Sequence, residues 1–254
     1  MQIFDSHAHY DDERFDEDRD ALLAVLPARG VGRVVDVGAD IPSSRAAVRL
    51  AGRYDHLWAA VGVHPHEAKA YDAAAEAELR RLLAQPRVVA LGEIGLDFFY
   101  DRSERDVQER VFRRQLELAS ELDRPVIIHS RDAAQLTRSI LREYPARGVI
   151  HCFTYSAELA AEWVADGWYI GFTGVVTFKN AKKPAAAAEA VPLDRLLIET
   201  DCPYLAPEPY RGTRCDSTML SSTAARLADI KGVAVGTLLD AAWRNACAVY
   251  RLPV

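Results

Sequence analysis

Six of the seven histidines in this 254-residue chain stand at or just past the end of a short apolar run. They are His7, His9, His64, His66, His129 and His151. Carboxylates occupy similar places, with Glu93 and Asp97 after the fourth run and Glu199 and Asp201 closing the eighth. Neutral imidazoles and carboxylates are the ligands that hold ions such as Zn²⁺ or Mn²⁺, and a carboxylate can also take a proton from water. The residue types therefore indicate a hydrolytic metal centre.

The spacing of these residues supports that interpretation. His7 and His9 are two residues apart, so on an extended strand both rings point the same way. The same alternation places Asp5 behind His7 and aligns Glu199 with Asp201. Two imidazoles on one side of a strand can grip a cation, and a carboxylate from a distant strand can complete its ligand set. Because there are more candidates than a single ion needs, we expect two ions that share one carboxylate.

The apolar runs that carry these side chains predict eight strands buried on both faces. They span residues 2–6, 33–38, 57–63, 87–92, 125–129, 147–151, 168–173 and 195–200. Amphipathic segments lie between them, such as 104–122, where Val111 and Leu118 fall on one stripe. The alternation predicts an α/β protein, a (β/α)₈ TIM barrel forming one domain over residues 1–254, whose active-site edge is at the C-terminal ends of the strands. A doubly wound open sheet is the alternative, but no glycine-rich loop follows the first run.

The bulk composition limits the possible partners. The chain has 31 Lys and Arg against 37 Asp and Glu, a formal net charge of −6, which argues against general attraction to nucleic acid or anionic lipid. A phosphate-bearing substrate would need a local basic patch or a bound metal. The four cysteines form no CxxC pair and are expected to be reduced thiols. With no apolar leader and no membrane-length apolar stretch, we expect a cytoplasmic protein with no membrane association and no obligate protein partner.

Six short segments occur in a fixed order along the chain. They are Phe4-Asp5-Ser6-His7-Ala8-His9, Gly62-Val63-His64-Pro65-His66, Gly92-Glu93-Ile94-Gly95-Leu96-Asp97, Ile128-His129-Ser130-Arg131-Asp132-Ala133, His151-Cys152-Phe153 and Glu199-Thr200-Asp201-Cys202-Pro203-Tyr204-Leu205-Ala206-Pro207. Together they resemble the TatD family of metal-dependent deoxyribonucleases, within the amidohydrolase-like barrels, over nearly the whole chain. The resemblance implies phosphodiester hydrolysis of the 3′–5′ exonuclease type, acting on DNA ends or short single-stranded DNA.

The resemblance also implies a role for each of the matching residues. The expected ligands of one ion are His7, His9, Glu93 and Asp201. The expected ligands of the second ion are Glu93, His129 and His151, which makes Glu93 the bridge. His64 would face the scissile phosphate or a further ion. Arg131 and Arg211 are expected phosphate contacts, because a guanidinium can bond two oxygens at once.

Within this metal centre, Asp201 is the candidate general base, with Glu199 supporting it or sharing the task. The mixture of imidazole and carboxylate suits Zn²⁺ or Mn²⁺ better than the all-oxygen environment typical of Mg²⁺, although Mg²⁺ could support turnover.

One loop departs from the family pattern. After Arg211-Gly212, where family members usually carry Lys-Arg-Asn-Glu-Pro, this chain reads Thr213-Arg214-Cys215-Asp216-Ser217. Asp216 could replace the usual Glu, and Ser217 is expected to cap the following helix. Because this loop is expected to border the site, substrate preference is less constrained than metal binding.

Two alternatives stay open at this point. The same chemistry could hydrolyse a small ester, lactone or amide, which the acidic composition favours. Local basic residues at the strand ends would favour nucleic acid instead, and the candidates are Lys179, Lys182, Lys183, Arg102 and Arg105. A non-catalytic binding protein on the same fold is the remote alternative, and no expected ligand is missing. His56 lies away from the strand ends and is interpreted as a surface or packing residue.

Overall fold

The computed structural model describes residues 2–254, in which β-strands and α-helices alternate. The strands are β1 (Ile3–Ala8), β2 (Val31–Val37), β3 (Leu57–Val61), β4 (Val88–Asp97), β5 (Val126–Arg131), β6 (Gly148–Ile150), β7 (Tyr169–Phe172) and β8 (Leu196–Ile198). The α-helices are α1 (Arg19–Val25), α2 (Ile41–Arg53), α3 (Ala73–Leu83), α4 (Arg105–Glu121), α5 (Ala134–Leu141), α6 (Ala157–Ala165), α7 (Lys182–Ala190), α8 (Leu220–Lys231) and α9 (Val235–Tyr250). Each predicted strand overlaps an observed one.

The strands form one eight-stranded sheet in chain order, from β1 to β8. The pairs β3–β4, β4–β5, β5–β6 and β7–β8 are parallel. A parallel bridge between Ala8 and Cys202 joins the end of β1 to the segment after β8. The backbone N–H of Asp201 also donates to the carbonyl of His7 at 2.9 Å. The first and last strands of the order therefore meet, and the predicted (β/α)₈ barrel is confirmed.

The chain divides into two compact units, which are described separately. The first unit comprises Met1–Val35 and His151–Val254, and the second comprises Asp36–Ile150. The core of the first unit includes the fully buried Phe15 and Trp163, and that of the second includes the fully buried Leu57. Burial of one such side chain contributes roughly 1.5–3 kcal/mol to folding. The assignment of residues 1–254 to a single domain stays a prediction.

Strand β4 differs most from its predicted span. It continues five residues past the predicted end at Gly92, so Glu93 and Asp97 lie within the strand and not after it. The register against β5 shifts between Leu91 and Ile94. A side chain at Gly95, whose φ is +145°, would collide with the backbone of β5. The glycines that suggested a strand end instead allow the two strands to approach closely.

The predicted cap at Ser217 is also wrong. Asp216 is the capping residue, because its Oδ1 accepts a hydrogen bond from the backbone N–H of Thr218 at 2.8 Å and begins the short 3₁₀ helix Ser217–Met219 before α8. Ser217 is buried, and its hydroxyl donates to Asp5 Oδ2 at 2.6 Å. The departing loop therefore supports β1 from below the site.

Two further features bear on the sequence expectations. The cysteines Cys152, Cys202, Cys215 and Cys247 are free thiols. Among residues 2–254, none of the helices combines the length and apolar character needed to cross a membrane. A cytoplasmic location stays a prediction.

Candidate metal centre

Three ligand candidates of the first unit meet at one point, and we call them the first cluster. His7 lies on β1, His9 follows it, and Asp201 comes after β8. The Nε2 atoms of the two histidines are 3.1 Å apart, and Asp201 Oδ1 lies 3.8 Å from His7 Nε2 and 3.3 Å from His9 Nε2. One ligand atom from each residue lies within 4.8 Å of the others, a spacing that suits a single cation.

His151 extends the first cluster from the end of β6. Its Nε2 is 3.9 Å from Asp201 Oδ1, and its ring stacks on that of His7 at 3.7 Å. Its Nδ1 lies 3.0 Å from Glu199 Oε1. A carboxylate at one ring nitrogen orients the other nitrogen, which here faces Asp201. Cys152 also comes within ligand distance of His151 and Asp201, a contribution that the sequence did not indicate.

Glu199 is fully buried, and both of its oxygens have neighbours. Oε1 accepts a hydrogen bond from the backbone N–H of Cys152 at 2.6 Å, and Oε2 accepts one from Ser6 Oγ at 3.3 Å. By contrast, the Asp201 side chain is 18% exposed. The predicted alternation does not relate these two residues, because β8 ends at Ile198 and Asp201 has a φ of +59°. The turn at Asp201 gives its carboxylate access that Glu199 lacks.

The electrostatics of the first cluster favour an ionised Asp201. Burial by itself would raise the pKa of this carboxyl, but the hydrogen bond with His9 and the neighbouring His151 and His7 lower it overall. An anionic carboxylate is the form that a metal ligand requires.

Asp5 fixes the backbone around the first cluster. Its Oδ1 accepts hydrogen bonds from the backbone N–H groups of His7 at 3.3 Å and Thr200 at 3.0 Å. Its Oδ2 accepts from the hydroxyls of Thr200 and Ser217, both at 2.6 Å. Burial raises the pKa of Asp5 to about 6, against the lowering effect of these hydrogen bonds. The side chain that sequence parity placed behind His7 therefore ties β1 to the segment that carries Asp201.

The second unit contains a second cluster, formed by His64, Glu93 and His129. Glu93 lies on β4, His129 on β5, and His64 three residues after β3. Glu93 Oε1 is 2.8 Å from His129 Nδ1 and 3.7 Å from His64 Nε2. The three ligand atoms lie within 4.8 Å of one another. Burial, followed by the proximity of His129, holds the pKa of His64 well below its usual value, so its ring is neutral and able to bind a metal.

Asp97 lies beside the second cluster and contacts two of the histidines. Its Oδ2 is 3.0 Å from Nε2 of His66 and 3.0 Å from Nε2 of His129. Its Oδ1 accepts hydrogen bonds from the backbone N–H groups of Phe99 at 3.0 Å and Tyr100 at 2.8 Å. Burial opposes ionisation of Asp97, but hydrogen bonds from His129 and Tyr100 bring its pKa well below the usual value. Sequence analysis noted Asp97 and His66 but gave neither a role.

Two buried glutamines of α4 hold the backbone that leads into the second cluster. Gln108 Oε1 accepts from the N–H of Asp97 at 2.8 Å, and its Nε2 donates to the carbonyl of Asp97 at 3.1 Å. Gln115 makes the same pair of contacts with Val63, next to His64. Sequence analysis missed both residues. Their spacing of seven, on the same stripe as the buried Val111, was the available signal.

The structure places the predicted substrate contacts differently. Arg131 is exposed at the end of β5, and its guanidinium lies 4.0 Å from the ring centre of Phe99. Arg211 is exposed and lies 4.3 Å from the ring centre of Phe178. Arg105, one of the basic candidates, is paired with Asp101 at 2.7 Å. Phosphate contacts of Arg131 and Arg211 stay predictions.

Comparison with known proteins gives a consistent answer. The sequence model of the TatD-related DNases matches residues 4–251. The chain is 41% identical over 253 residues to the uncharacterized metal-dependent hydrolase YabD of Bacillus subtilis, covering 98% of this chain and 99% of YabD. It is 39% identical over 209 residues to the 3′–5′ ssDNA/RNA exonuclease TatD of Escherichia fergusonii, covering 81% and 80% of the two chains. The crystal structure of YjjV, a TatD homologue from Escherichia coli, superposes with a TM-score of 0.93 at 29% identity, over 99% of this chain and 98% of YjjV.

Proposed function

Since this chain belongs to the TatD-related DNase family and is a metal-dependent hydrolase, we propose that it removes nucleotides from the 3′ ends of short single-stranded DNA. The observation that carries the proposal is the pair of histidine–carboxylate clusters, one in each unit. The polarity and the single-stranded substrate follow the name of the relative from Escherichia fergusonii.

The donor set of each cluster fits one divalent ion. His7, His9 and Asp201 supply two imidazoles and a carboxylate in the first cluster, and His64, Glu93 and His129 do the same in the second. This mixture suits Zn²⁺ or Mn²⁺, and Mg²⁺ is an acceptable substitute. The expected contributions of Glu93 to the first ion and of His151 to the second remain predictions.

In this proposal the residues divide the work of hydrolysis. Divalent ions, when bound, supply charge that polarises the phosphoryl oxygens and lowers the pKa of water. Asp201, the exposed and ionised carboxylate, takes a proton from the attacking water. Glu199, which is fully buried, orients His151 and does not touch substrate. Arg131 and Arg211 are candidates to hold the phosphate, and His64 is the candidate to face it.

The test is cleavage by metal-free protein reloaded with Zn²⁺, Mn²⁺ or Mg²⁺. A 5′-labelled single-stranded oligonucleotide should shorten progressively from its 3′ end. A 3′-terminal phosphorothioate should slow the reaction. RNA, carboxyl esters and lactones are assayed on the same preparation. Hydrolysis of an ester or lactone without cleavage of nucleic acid would overturn the proposal in favour of a small-molecule hydrolase.

A further inference from the structure

The loop after β4 presents two large aromatic rings to solvent. Phe99 is 55% exposed and Tyr100 is 50% exposed. Their ring centres are 4.9 Å apart and their planes are nearly perpendicular, so the pair offers faces in two directions. Exposure of adjacent large aromatic side chains loses the free energy that their burial would provide, which indicates a binding surface.

This aromatic pair is held rigidly next to the second cluster. The backbone N–H groups of Phe99 and Tyr100 both donate to Oδ1 of Asp97, whose Oδ2 contacts His66 and His129. The Tyr100 ring also lies 5.5 Å from that of His66. One carboxylate therefore fixes both the histidines and the exposed rings, and a ligand on those rings would lie beside the candidate metal ligands.

Positive charge accompanies the aromatic pair. Arg131 is paired in register with Asp97 across β4 and β5, which brings its guanidinium to 4.0 Å from the Phe99 ring centre and 4.6 Å from that of Tyr100. The guanidinium of Arg102 is 5.5 Å from the Tyr100 ring centre. Within residues 2–254, neither arginine is engaged in an ion pair with a carboxylate, in contrast to Arg105. Their charge remains available to a polyanion.

We propose that Phe99, Tyr100 and Arg131, the aromatic platform, bind a nucleobase of the single strand by stacking, with Arg102 and Arg131 near its phosphates. This assignment rests on the proposed nuclease function and adds the group that the enzyme recognises beyond the scissile phosphate. Aromatic rings combined with arginine are typical of sequence-tolerant binding to single strands, because every base has a flat π face. Local charge at the platform also allows an acidic protein to bind a short strand.

The experiment combines a change in the protein with a change in the substrate. The substrates are one oligonucleotide with natural bases and the same oligonucleotide with abasic sites at its 3′-terminal positions. The proteins are wild type, Phe99→Leu, Tyr100→Leu and the double variant. Leucine keeps an apolar side chain and removes the ring, so folding should be maintained, as checked by melting temperature and metal content.

We expect wild-type protein to have a KM about 5- to 150-fold lower for the natural strand than for the abasic strand, the range that stacking of one base supplies. The double variant should have similar KM values for both strands, with kcat retained. Trp58→Leu is the matched control, because Arg87 lies over Trp58 at 5.0 Å near the start of β3, at the other end of the strand from His64. It should behave like wild type.

Two results would contradict the inference, and they are distinguishable. If wild-type protein cleaves DNA but the double variant keeps the full preference for bases, the platform is wrong and the nuclease function stands. If wild-type protein cleaves neither strand, the proposed function fails, and the platform fails with it.

Discussion

Gln115 and Val63 pair through both of their hydrogen-bonding groups, although they belong to a helix and a loop. The side-chain Oε1 of Gln115 accepts from the backbone N–H of Val63 at 2.8 Å, and its Nε2 donates to the carbonyl of Val63 at 2.9 Å. Both residues are buried, and Val63 precedes His64 of the second cluster. The helix α4 therefore fixes the position of a candidate ligand without contacting it.

We expect Gln115→Leu to destabilise the protein and to loosen the second cluster. The variant leaves the backbone N–H and carbonyl of Val63 buried without partners, at about 1–3 kcal/mol for each. Gln135→Leu on the exposed face of α5 is the control, because it makes the same change at an exposed position. Urea unfolding measures the free energy of unfolding, and metal titration measures affinity. Equal stability of the two variants would contradict the role assigned to Gln115.

The parts of the fold that follow from the sequence are those with a simple period. Short runs of apolar residues predicted all eight strands, and parity correctly predicted that His7 and His9 reach one point, with their Nε2 atoms 3.1 Å apart. The end of β4 was wrong, because Gly92 and Gly95 serve close strand packing, while sequence patterns associate glycine with turns.

The unpredicted parts of the site depend on contacts between segments far apart in sequence. The role of Asp97 comes from its hydrogen bonds with His129 and with the two residues that follow Phe98, which depend on the loop conformation after β4. Gln115 contacts a residue 52 positions away, and no local period encodes such a partner. Polar residues on an otherwise buried helical stripe are the signal to examine in similar chains.

We predict that the purified protein binds up to two divalent ions per chain, since each unit carries a cluster with three ligand candidates. Replacement of His7, His9, His129 and His151 together by Ala should abolish this binding. His56→Ala is the control, because His56 lies in the loop before β3 and away from both clusters. Elemental analysis after dialysis gives the stoichiometry. Retention of two ions by the fourfold variant would refute the assignment.

We also predict that DNA cleavage begins at ends and does not occur within closed circles. The net charge of −6 leaves little general attraction to a long duplex, so affinity should come from a few nucleotides near the clusters. Gel analysis of covalently closed plasmid and of the same plasmid linearised and denatured separates the two cases. Efficient nicking of the closed circle by pure, metal-loaded protein would count against this prediction.

The last prediction concerns Asp201, and Glu199 provides the comparison. Asp201→Asn keeps the size of the side chain and an oxygen ligand, but it removes the carboxylate that can take a proton. Loss of a positioned base costs on the order of 10²–10⁴ in rate. We therefore expect this variant to remain folded, to retain at least the metal of the second cluster and to lose nearly all turnover.

Glu199→Gln should behave differently, because Glu199 is fully buried and lies 3.0 Å from His151 Nδ1. A weaker orienting contact costs about 10–100-fold in metal affinity or activity, so raising the metal concentration should restore much of the activity of this variant. The same addition should not rescue Asp201→Asn, since its missing group is a proton acceptor. Measurements of kcat against metal concentration, with melting temperatures from the same preparations, distinguish the two roles. If Asp201→Asn is folded and metal-loaded with a near-normal kcat, Asp201 is not the base. In that case its carboxylate acts only as a metal ligand.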